Sequence, residues 1–215
     1  MSIDVQEEKA EQKRVDQVIA EIHRQIASTK DALAKAHRES RAVQRNFAEN
    51  TSFNPYEVDD IAESRAQTEQ QRRLVSQATT NEDILKRQLR TLQQLAKSPY
   101  FGRIDIQDPD SDQTDSLYIG TASLMNDDKT DFLIYDWRAP ISAIYYNGVL
   151  GNVEYQTPSG IQHTKLVKKR QFTIVNGKIK NVFDTSETIG DEMLKQALGA
   201  QNDTQMHNIV ATIQR

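Results

Sequence analysis

Cysteine is absent from all 215 residues, and glycine is absent from the first 101. The lack of cysteine excludes disulfide bonds, thiolate catalysis and thiolate zinc sites, and it is typical of proteins that fold in a reducing cytosol. No run approaches the roughly 18 consecutive apolar residues of a membrane span. The N-terminus also lacks the basic and apolar regions of a secretion signal. We therefore expect a cytoplasmic protein without a membrane partner.

The chain also lacks a large excess of either sign of charge. The net charge is −4 at pH 7, which argues against a chain that wraps nucleic acid with its whole surface. The first 97 residues hold 16 acidic and 16 basic residues, so the rest of the chain carries the entire imbalance, together with 11 of the 14 aromatic residues. This change in composition predicts a boundary near residue 97.

The first 97 residues have the composition and the periodicity of long helices. Glycine is unfavourable inside a helix, and Pro55 is the one proline before Pro99. Apolar or small residues recur in alternating steps of four and three, which is the heptad pattern of a seam between helices. The members of this seam are Val15, Ile19, Ile22, Ile26, Thr29, Leu33, Ala36, Ser40, Val43 and Phe47.

A second helix offers a matching seam that is thin before Val75. Pro55 disfavours helix at Asn54, and a short connector makes two helices antiparallel neighbours. We therefore expect residues 1–97 to form a projecting antiparallel coiled-coil arm, roughly 60 Å long at about 1.5 Å per residue. The alternative is a three-helix bundle, for which the sequence offers no third long heptad segment. The second seam comprises Ile61, Thr68, Val75, Leu85, Leu89, Leu92 and Ala96.

The predicted tip of the arm, at about residues 48–60, has an unusual charge distribution. No lysine or arginine lies between Arg45 and Arg65. Acidic residues in the first turn of a helix complement its dipole, so plain helix capping is one interpretation. The other is a docking surface whose carboxylates bind Mg²⁺ transiently, with water completing the shell. The candidate tip residues are Phe53, Tyr56, Glu57, Asp59, Asp60 and Glu63.

The remaining residues predict a β-rich globular domain at 98–186 and a helical segment at 187–215. Strand-like runs lie at 116–124, 131–136, 151–155, 165–175 and 178–183. Asn176-Gly177 between the last two is a strong signal for a β-hairpin. Helical patterns follow at 191–198 and 206–215. The expected fold class is α+β: a long antiparallel two-helix coiled-coil hairpin, then a small mixed domain rich in β-hairpins, with C-terminal helices.

A basic cluster lies on the fourth predicted strand and consists of Lys165, Lys168, Lys169 and Arg170. Strand alternation puts Lys168 and Arg170 on one face and Lys169 on the other. The cluster could contact phosphate or an acidic protein. A solvated edge strand that is protected by its charges is the commoner use of such residues.

The sequence contains none of the common catalytic or nucleotide-binding motifs that we considered. Gly177-Lys178 lacks the upstream glycine of a phosphate-binding loop, and the sequence contains no GxSxG, HExxH or GxGxxG. The four histidines are scattered without the spacing of metal ligands. We therefore expect no catalytic residue, no cofactor and no resident metal in this chain, apart from transient Mg²⁺ at the tip.

Several segments, taken in order, resemble one protein family. Residues 98–105 (SPYFGRID) are similar to the segment that follows the N-terminal helical hairpin of HelD proteins, which are helicase-like factors of Gram-positive bacterial RNA polymerase. Residues 118–124 (YIGTASL), 135–141 (YDWRAPI) and 166–172 (LVKKRQF) resemble further motifs of that family, as do 189–192 and 210–214. The resemblance covers essentially the whole chain.

The resemblance implies a function in transcription. HelD proteins are superfamily 1 ATPases of the UvrD type whose hairpin enters the polymerase secondary channel, as Gre-type cleavage factors do, and ATP is linked to polymerase release and recycling. Core RNA polymerase is then the partner, the location is cytoplasmic and nucleoid-associated, and Asp59, Asp60 and Glu63 approach the polymerase active centre. ATP, Mg²⁺ and DNA binding would belong to the full-length protein. Since the family's phosphate loop lies beyond the position of Arg215, we expect an N-terminal fragment without ATPase activity of its own.

Three other classes of function are open at this point. A generic coiled-coil adaptor would use the same heptads and would dimerise through its helices. A DNA-binding accessory domain of a UvrD-like DNA helicase would use the basic residues at 165–170. A metal-dependent nuclease would need convergent carboxylates, and only the predicted tip groups them.

Overall fold

The fold combines two long helices with a seven-stranded sheet. The computed structural model of the chain describes residues 3–50, 61–107 and 113–186, and gives only the backbone of residues 50 and 61–65. The predicted mixture of helix and strand is confirmed. The predicted arm tip, residues 108–112 and the predicted helices at 191–198 and 206–215 lie outside the described residues. The elements are α1 (Val5–Asn50), α2 (Ile61–Lys97), β1 (Gly102–Gln107), β2 (Thr114–Gly120), β3 (Leu124–Met125), β4 (Phe132–Asp136), a 3-10 turn (Pro140–Ser142), α3 (Ala143–Asn147), β5 (Gly151–Thr157), β6 (Gly160–Val175) and β7 (Lys178–Asp184).

The chain divides into two compact units. The first comprises residues 1–23 and 94–215, and the second comprises residues 24–93. Helix α2 ends at Lys97, where the change in composition predicts a boundary, and the first unit also includes the start of α1. Among the described residues, no helix is long and apolar enough to cross a membrane.

Each of the two long helices buries a heptad stripe. Every predicted seam position on α1 is buried or half-buried, and so is every one on α2 whose side chain is described. The thin stretch of the second seam continues through residues that are polar or small and keep the steps of three and four. These additional positions are Gln71, Ala78 and Glu82.

The sheet belongs to the first unit and is organised around β6. Its strand order is β3-β4-β2-β1-β6-β5, and β7 also pairs with β6. The 16-residue β6 pairs with β5 through its first half and with β7 through its second half, and β1 pairs along its middle. All of these pairings are antiparallel, whereas β2 and β4 pair in parallel over two residues.

The predicted strands correspond to β2 to β7, with one division and one omission. The predicted run at 116–124 is two strands, since β2 ends at Gly120 and β3 begins at Leu124. Strand β1 is absent from the predicted set, although Ile104 and Ile106 alternate with Arg103 and Asp105 as in a half-buried strand. A buried cluster covers the sheet where β1, β2, β6 and α3 meet, and it comprises Phe101, Ile104, Ile119, Ile144, Tyr145, Tyr146 and Leu166.

The hairpin between β6 and β7 has the geometry that its sequence predicts. Asn176 and Gly177 both have positive φ, at 49° and 76°, as a two-residue type I′ turn requires. Gly177 also lies close to the helices, because its N–H donates to the carbonyl of Lys97 at 3.1 Å. A Cβ at this position would stand 2.7 Å from Cδ1 of Ile19. The turn is therefore held by backbone conformation and by contact with α1.

Replacing Gly177→Ala should lower the free energy of unfolding by about 2 kcal/mol, since a left-handed backbone is unfavourable for alanine and its methyl group meets Ile19. Urea unfolding followed by the fluorescence of Trp137, the one tryptophan, measures this cost. In an Ile19→Ala background the penalty should shrink, and strictly additive penalties would show that α1 does not press on the turn.

Candidate functional site

The predicted tip residues lie outside the part of the chain whose side chains the structure describes. Their grouping at the end of the arm therefore stays a prediction. Among the described residues, no group of three or more histidine, aspartate or glutamate side chains could hold a metal ion. The residues named for the tip are Phe53, Tyr56, Glu57, Asp59, Asp60 and Glu63.

The four residues of the basic cluster have very different environments. Lys165 is exposed and Lys168 is partly exposed. Lys169 and Arg170 retain only 1% and 2% of their accessible surface. Lys168 and Arg170 contact the same acidic side chains, and Lys169 contacts different groups. The structure thus places two of the four predicted contact residues inside the protein.

Arg170 is the centre of a buried ionic network that joins the start of α1 to the sheet. Its Nη1 donates to Oε1 of Glu11 at 2.8 Å, and its Nη2 donates to Oε2 of Glu7 at 2.6 Å. Its Nε donates to Oδ1 of Asp184 at 2.6 Å. We call this network the anchor cluster, and its members are Glu7, Glu11, Arg103, Asp105, Arg170 and Asp184.

Arg103 is the second cation of the anchor cluster. Its Nη1 donates to Oε1 of Glu11 at 2.5 Å. Its Nε and Nη2 donate to Oδ1 and Oδ2 of Asp105 at 2.7 and 2.9 Å. Tyr118 donates its hydroxyl to Oε2 of Glu11 at 3.2 Å. Glu11 therefore accepts hydrogen bonds from two arginines and a tyrosine, which compensates for the loss of water around a side chain that is 3% exposed.

The register of the sheet explains why these side chains meet. Tyr118 pairs with Arg103, Arg103 pairs with Arg170, and Arg170 pairs with Asp184. Residues directly opposite one another across paired strands project from the same face. The four side chains therefore form one row across β2, β1, β6 and β7. Glutamates at positions 7 and 11, one helical turn apart on α1, complete it.

The network changes the ionisation of its members. Hydrogen bonds and charge from Arg170 lower the pKa of Glu7. Burial opposes ionisation of Asp184, but the hydrogen bonds from Arg170 outweigh it and lower the pKa of that carboxyl group. Burial, with the charge of Glu11 beside it, raises the pKa of Tyr118 to about 12. Glu7 and Asp184 are therefore charged and Tyr118 is protonated at neutral pH.

Lys169 points to the opposite face of β6 and contacts carbonyl groups. Its Nζ donates to the carbonyl oxygen of Gly148 at 2.7 Å and to that of Tyr145 at 3.1 Å. These carbonyls belong to the end of α3, where a basic side chain satisfies acceptors that the helix leaves free. Burial lowers the pKa of Lys169 to about 8. The side chain thus has a structural role in closing α3 onto the sheet.

The segment 135–141 is held by its own aspartate. Asp136 accepts two hydrogen bonds from the guanidinium of Arg138, at 2.9 and 2.6 Å, and one from its backbone N–H. Trp137 packs against the buried cluster of the sheet. The motif therefore shapes the turn between β4 and α3.

One known protein family matches most of the chain. The family described as DNA helicase IV HelD, N-terminal domain, matches residues 8–198. This chain belongs to that family. No curated protein matches the sequence closely enough to be compared with it. The matched range of this HelD N-terminal domain includes α2, nearly all of α1 and the anchor cluster except Glu7.

Glu7 and Glu11 are absent from the predicted site residues of this HelD N-terminal domain, although the sequence carries a signal for them. Like charges one turn apart destabilise an isolated helix, so such a pair indicates basic partners elsewhere in the fold. The partners are far away in sequence, since Glu7 and Arg170 are separated by 163 residues. A single sequence does not reveal such a distant pairing. The register of the strands does, because it brings the basic residues of β1 and β6 into one row.

Arg170→Met should destabilise the first unit of the HelD N-terminal domain by about 3–5 kcal/mol, because it removes the buried cation that three carboxylates share and the loss of one partner from a buried ionic network is strongly destabilising. Lys168→Met on the same strand face is the matched control and should cost less than about 1 kcal/mol, since its pairs are partly exposed. Urea unfolding monitored by Trp137 fluorescence compares the two. Similar losses for both variants would contradict a central role for Arg170.

A buried carboxylate in the second unit should make the helices sensitive to acid. Glu82 accepts hydrogen bonds from Lys86 at 2.8 Å and His37 at 3.0 Å, which lower its pKa from 4.5 to about 2. A depressed carboxyl pKa stabilises the fold above the unfolded pKa, and this contribution disappears as the pH falls through the folded pKa.

Glu82→Gln should therefore lower the melting temperature of the helical circular dichroism signal at neutral pH, and the difference should vanish between pH 4.5 and about 2. The exposed Glu69→Gln on the same helix is the control and should produce no such pH dependence. A difference for Glu82→Gln that is constant with pH would disprove the role of its charge.

Proposed function

We propose that this HelD N-terminal domain binds core RNA polymerase, and that α1 and α2 form an antiparallel coiled-coil arm that enters the polymerase secondary channel. The family match over residues 8–198 is the observation that carries the proposal. In the parent HelD-type protein, a helicase-like ATPase, the arm would help to release nucleic acid and to recycle the polymerase.

The coiled-coil arrangement is supported by the burial of both heptad stripes and by one contact between the helices. Nδ1 of His37 on α1 lies 3.0 Å from Oε1 of Glu82 on α2. His37 stands 13 residues before the end of α1, and Glu82 stands 21 residues after the start of α2. A contact between the later part of one helix and the middle of the next is what an antiparallel pair produces. A narrow two-helix pair suits a channel, because its seam stabilises it locally.

The anchor cluster supports the proposal at the other end of α1. A projecting arm needs a firm origin, and Arg103 and Arg170 hold the first turns of α1 through Glu7 and Glu11. Since these ion pairs involve buried arginine forks, they are geometrically specific. The start of α1 would thus be fixed to the sheet, so that the helix begins at an ordered end.

The acidic tip would supply the functional contact. Carboxylates at positions 57, 59, 60 and 63 are attracted to basic groups or to bound Mg²⁺, and salt screens such an attraction when it is exposed to solvent. Phe53 and Tyr56 would add apolar contact area, as aromatic anchors do at interfaces.

The two alternative functions have weaker support. A DNA-binding accessory role would rely on the basic cluster, but Lys169 and Arg170 are buried, which leaves Lys165 and Lys168 to meet phosphate. A generic adaptor would dimerise through its helices. We expect a monomer by light scattering, and a dimer that dissociates when the helical seam is mutated would favour the adaptor instead.

Polymerase binding should be measured directly with the 215-residue chain. Immobilised core RNA polymerase should retain it, and a Gre-type cleavage factor should compete, since both would occupy the secondary channel. If the chain and the factor bind at the same time without mutual interference, the secondary channel is not the site. If the chain is not retained at all, the proposed function fails.

The tip is tested by the triple variant Asp59→Ala, Asp60→Ala and Glu63→Ala. Its affinity for core polymerase should fall about tenfold or more, and the salt dependence of binding should decrease, because the charged contact is lost. The control Asp31→Ala, Glu39→Ala and Glu69→Ala removes three exposed acids elsewhere on the helices. Equal affinities for the two triple variants would show that the tip acids have no specific role.

A further inference from the structure

Helix α2 carries a second heptad stripe that is exposed and uncharged. Its residues follow one another in steps of four and three, like those of the seam, but they lie beside the seam. All six are exposed, and the two aliphatic members retain 48% and 52% of their accessible surface. We call this surface the neutral stripe, and it comprises Gln70, Leu74, Gln77, Asn81, Ile84 and Gln88.

No charged residue of α2 lies on this stripe between Gln70 and Gln88. The helix is rich in acidic and basic residues between positions 66 and 93, yet every one of them stands on another face, apart from Glu82 in the seam. The flank of a coiled-coil seam is ordinarily charged, so a neutral flank with two exposed aliphatic residues is unusual. The charged residues of the other faces are Glu69, Arg72, Arg73, Asp83, Lys86, Arg87 and Arg90.

We propose that the neutral stripe is the face along which the arm packs against the protein that receives it, on a wall of apolar and uncharged polar groups. This inference rests on the proposed function, since it names the side of the arm that meets the partner. Leu74 and Ile84 would become buried, and the glutamine and asparagine side chains would exchange hydrogen bonds with the wall.

The chemistry of the stripe selects a protein surface. A nucleic acid would be recognised by lysine or arginine, and the stripe contains neither. Amide side chains can bond to a charged wall, but Leu74 and Ile84 would then take water from its charged groups without compensation. Depletion of charge together with exposed aliphatic groups is the composition of the buried centre of a protein interface.

The size of the stripe argues against a second copy of this chain as the occupant. From Gln70 to Gln88 it is roughly 27 Å long and about 10 Å wide at helical dimensions, on the order of 300 Å² of surface. A stable pair of proteins buries about 800 Å² on each partner. The stripe is therefore suited to a supplementary contact with a partner that other parts of the domain already hold.

Such a contact differs from the tip in its response to salt. Charged contacts weaken as ionic strength rises, whereas burial of Leu74 and Ile84 involves no charge. The double variant Leu74→Lys and Ile84→Lys places charges on the stripe while keeping good helix formers. The control Ser76→Lys and Thr80→Lys adds the same charge at exposed positions on the other faces of α2.

The experiment measures binding of each full chain to core polymerase at low and at high salt, with circular dichroism to verify the helices. The stripe variant should bind about tenfold more weakly or worse at both salt concentrations, because charged groups would enter an apolar contact. The control should stay within about threefold of the unmodified chain, as expected for exposed charges.

Three results would overturn the inference. If the stripe variant and the control bind equally well, the stripe is not a contact surface, although the proposed function stands. If the unmodified chain does not bind polymerase, the proposed function fails, and the assigned occupant fails with it. If the unmodified chain is a dimer in light scattering and the stripe variant is a monomer, the occupant is a second copy.

Discussion

A guanidinium group with almost no access to water connects the start of α1 to the sheet of this domain. Burying Arg170 would be prohibitive without compensation, and the compensation comes from α1 through Glu7 and Glu11 and from β7 through Asp184. The end of one strand and the beginning of the first helix are thereby fixed by the same group. Formation of the sheet and attachment of α1 are consequently coupled, since the loss of either contact removes part of the charge compensation of the buried guanidinium.

Strand β6 carries two buried basic side chains that are compensated by different acceptors. Arg170 projects to the face covered by α1 and meets carboxylates, and Lys169 projects to the other face and meets the carbonyls of α3. Strand alternation separates the two side chains completely. The strand is therefore a junction between the helical part and the α3 side of the sheet, and the similarity of its LVKKRQF segment to the family motif has a structural reason.

Local patterns account for what the sequence predicts well. The heptad seam of α1 and the Asn176-Gly177 turn depend on residues close in sequence, and both appear at the predicted positions. Long-range pairings account for the failures. Strand β1 looks too polar for an interior strand until Arg103 meets Glu11 and Asp105, and Glu82 looks like a surface residue until His37 and Lys86 cover it. For the same reason, the basic cluster resembles an open binding patch in sequence although half of it is structural.

The contacts of Lys169 have a consequence for alkaline conditions. Its depressed pKa, about 8, means that the ammonium group can lose a proton only slightly above neutrality. A neutral amine still has two N–H groups, which is the number that the carbonyls of Gly148 and Tyr145 accept. The packing of α3 against the sheet should therefore persist when Lys169 loses its proton. The two hydrogen bonds of Lys169, and not its charge, hold α3 in place.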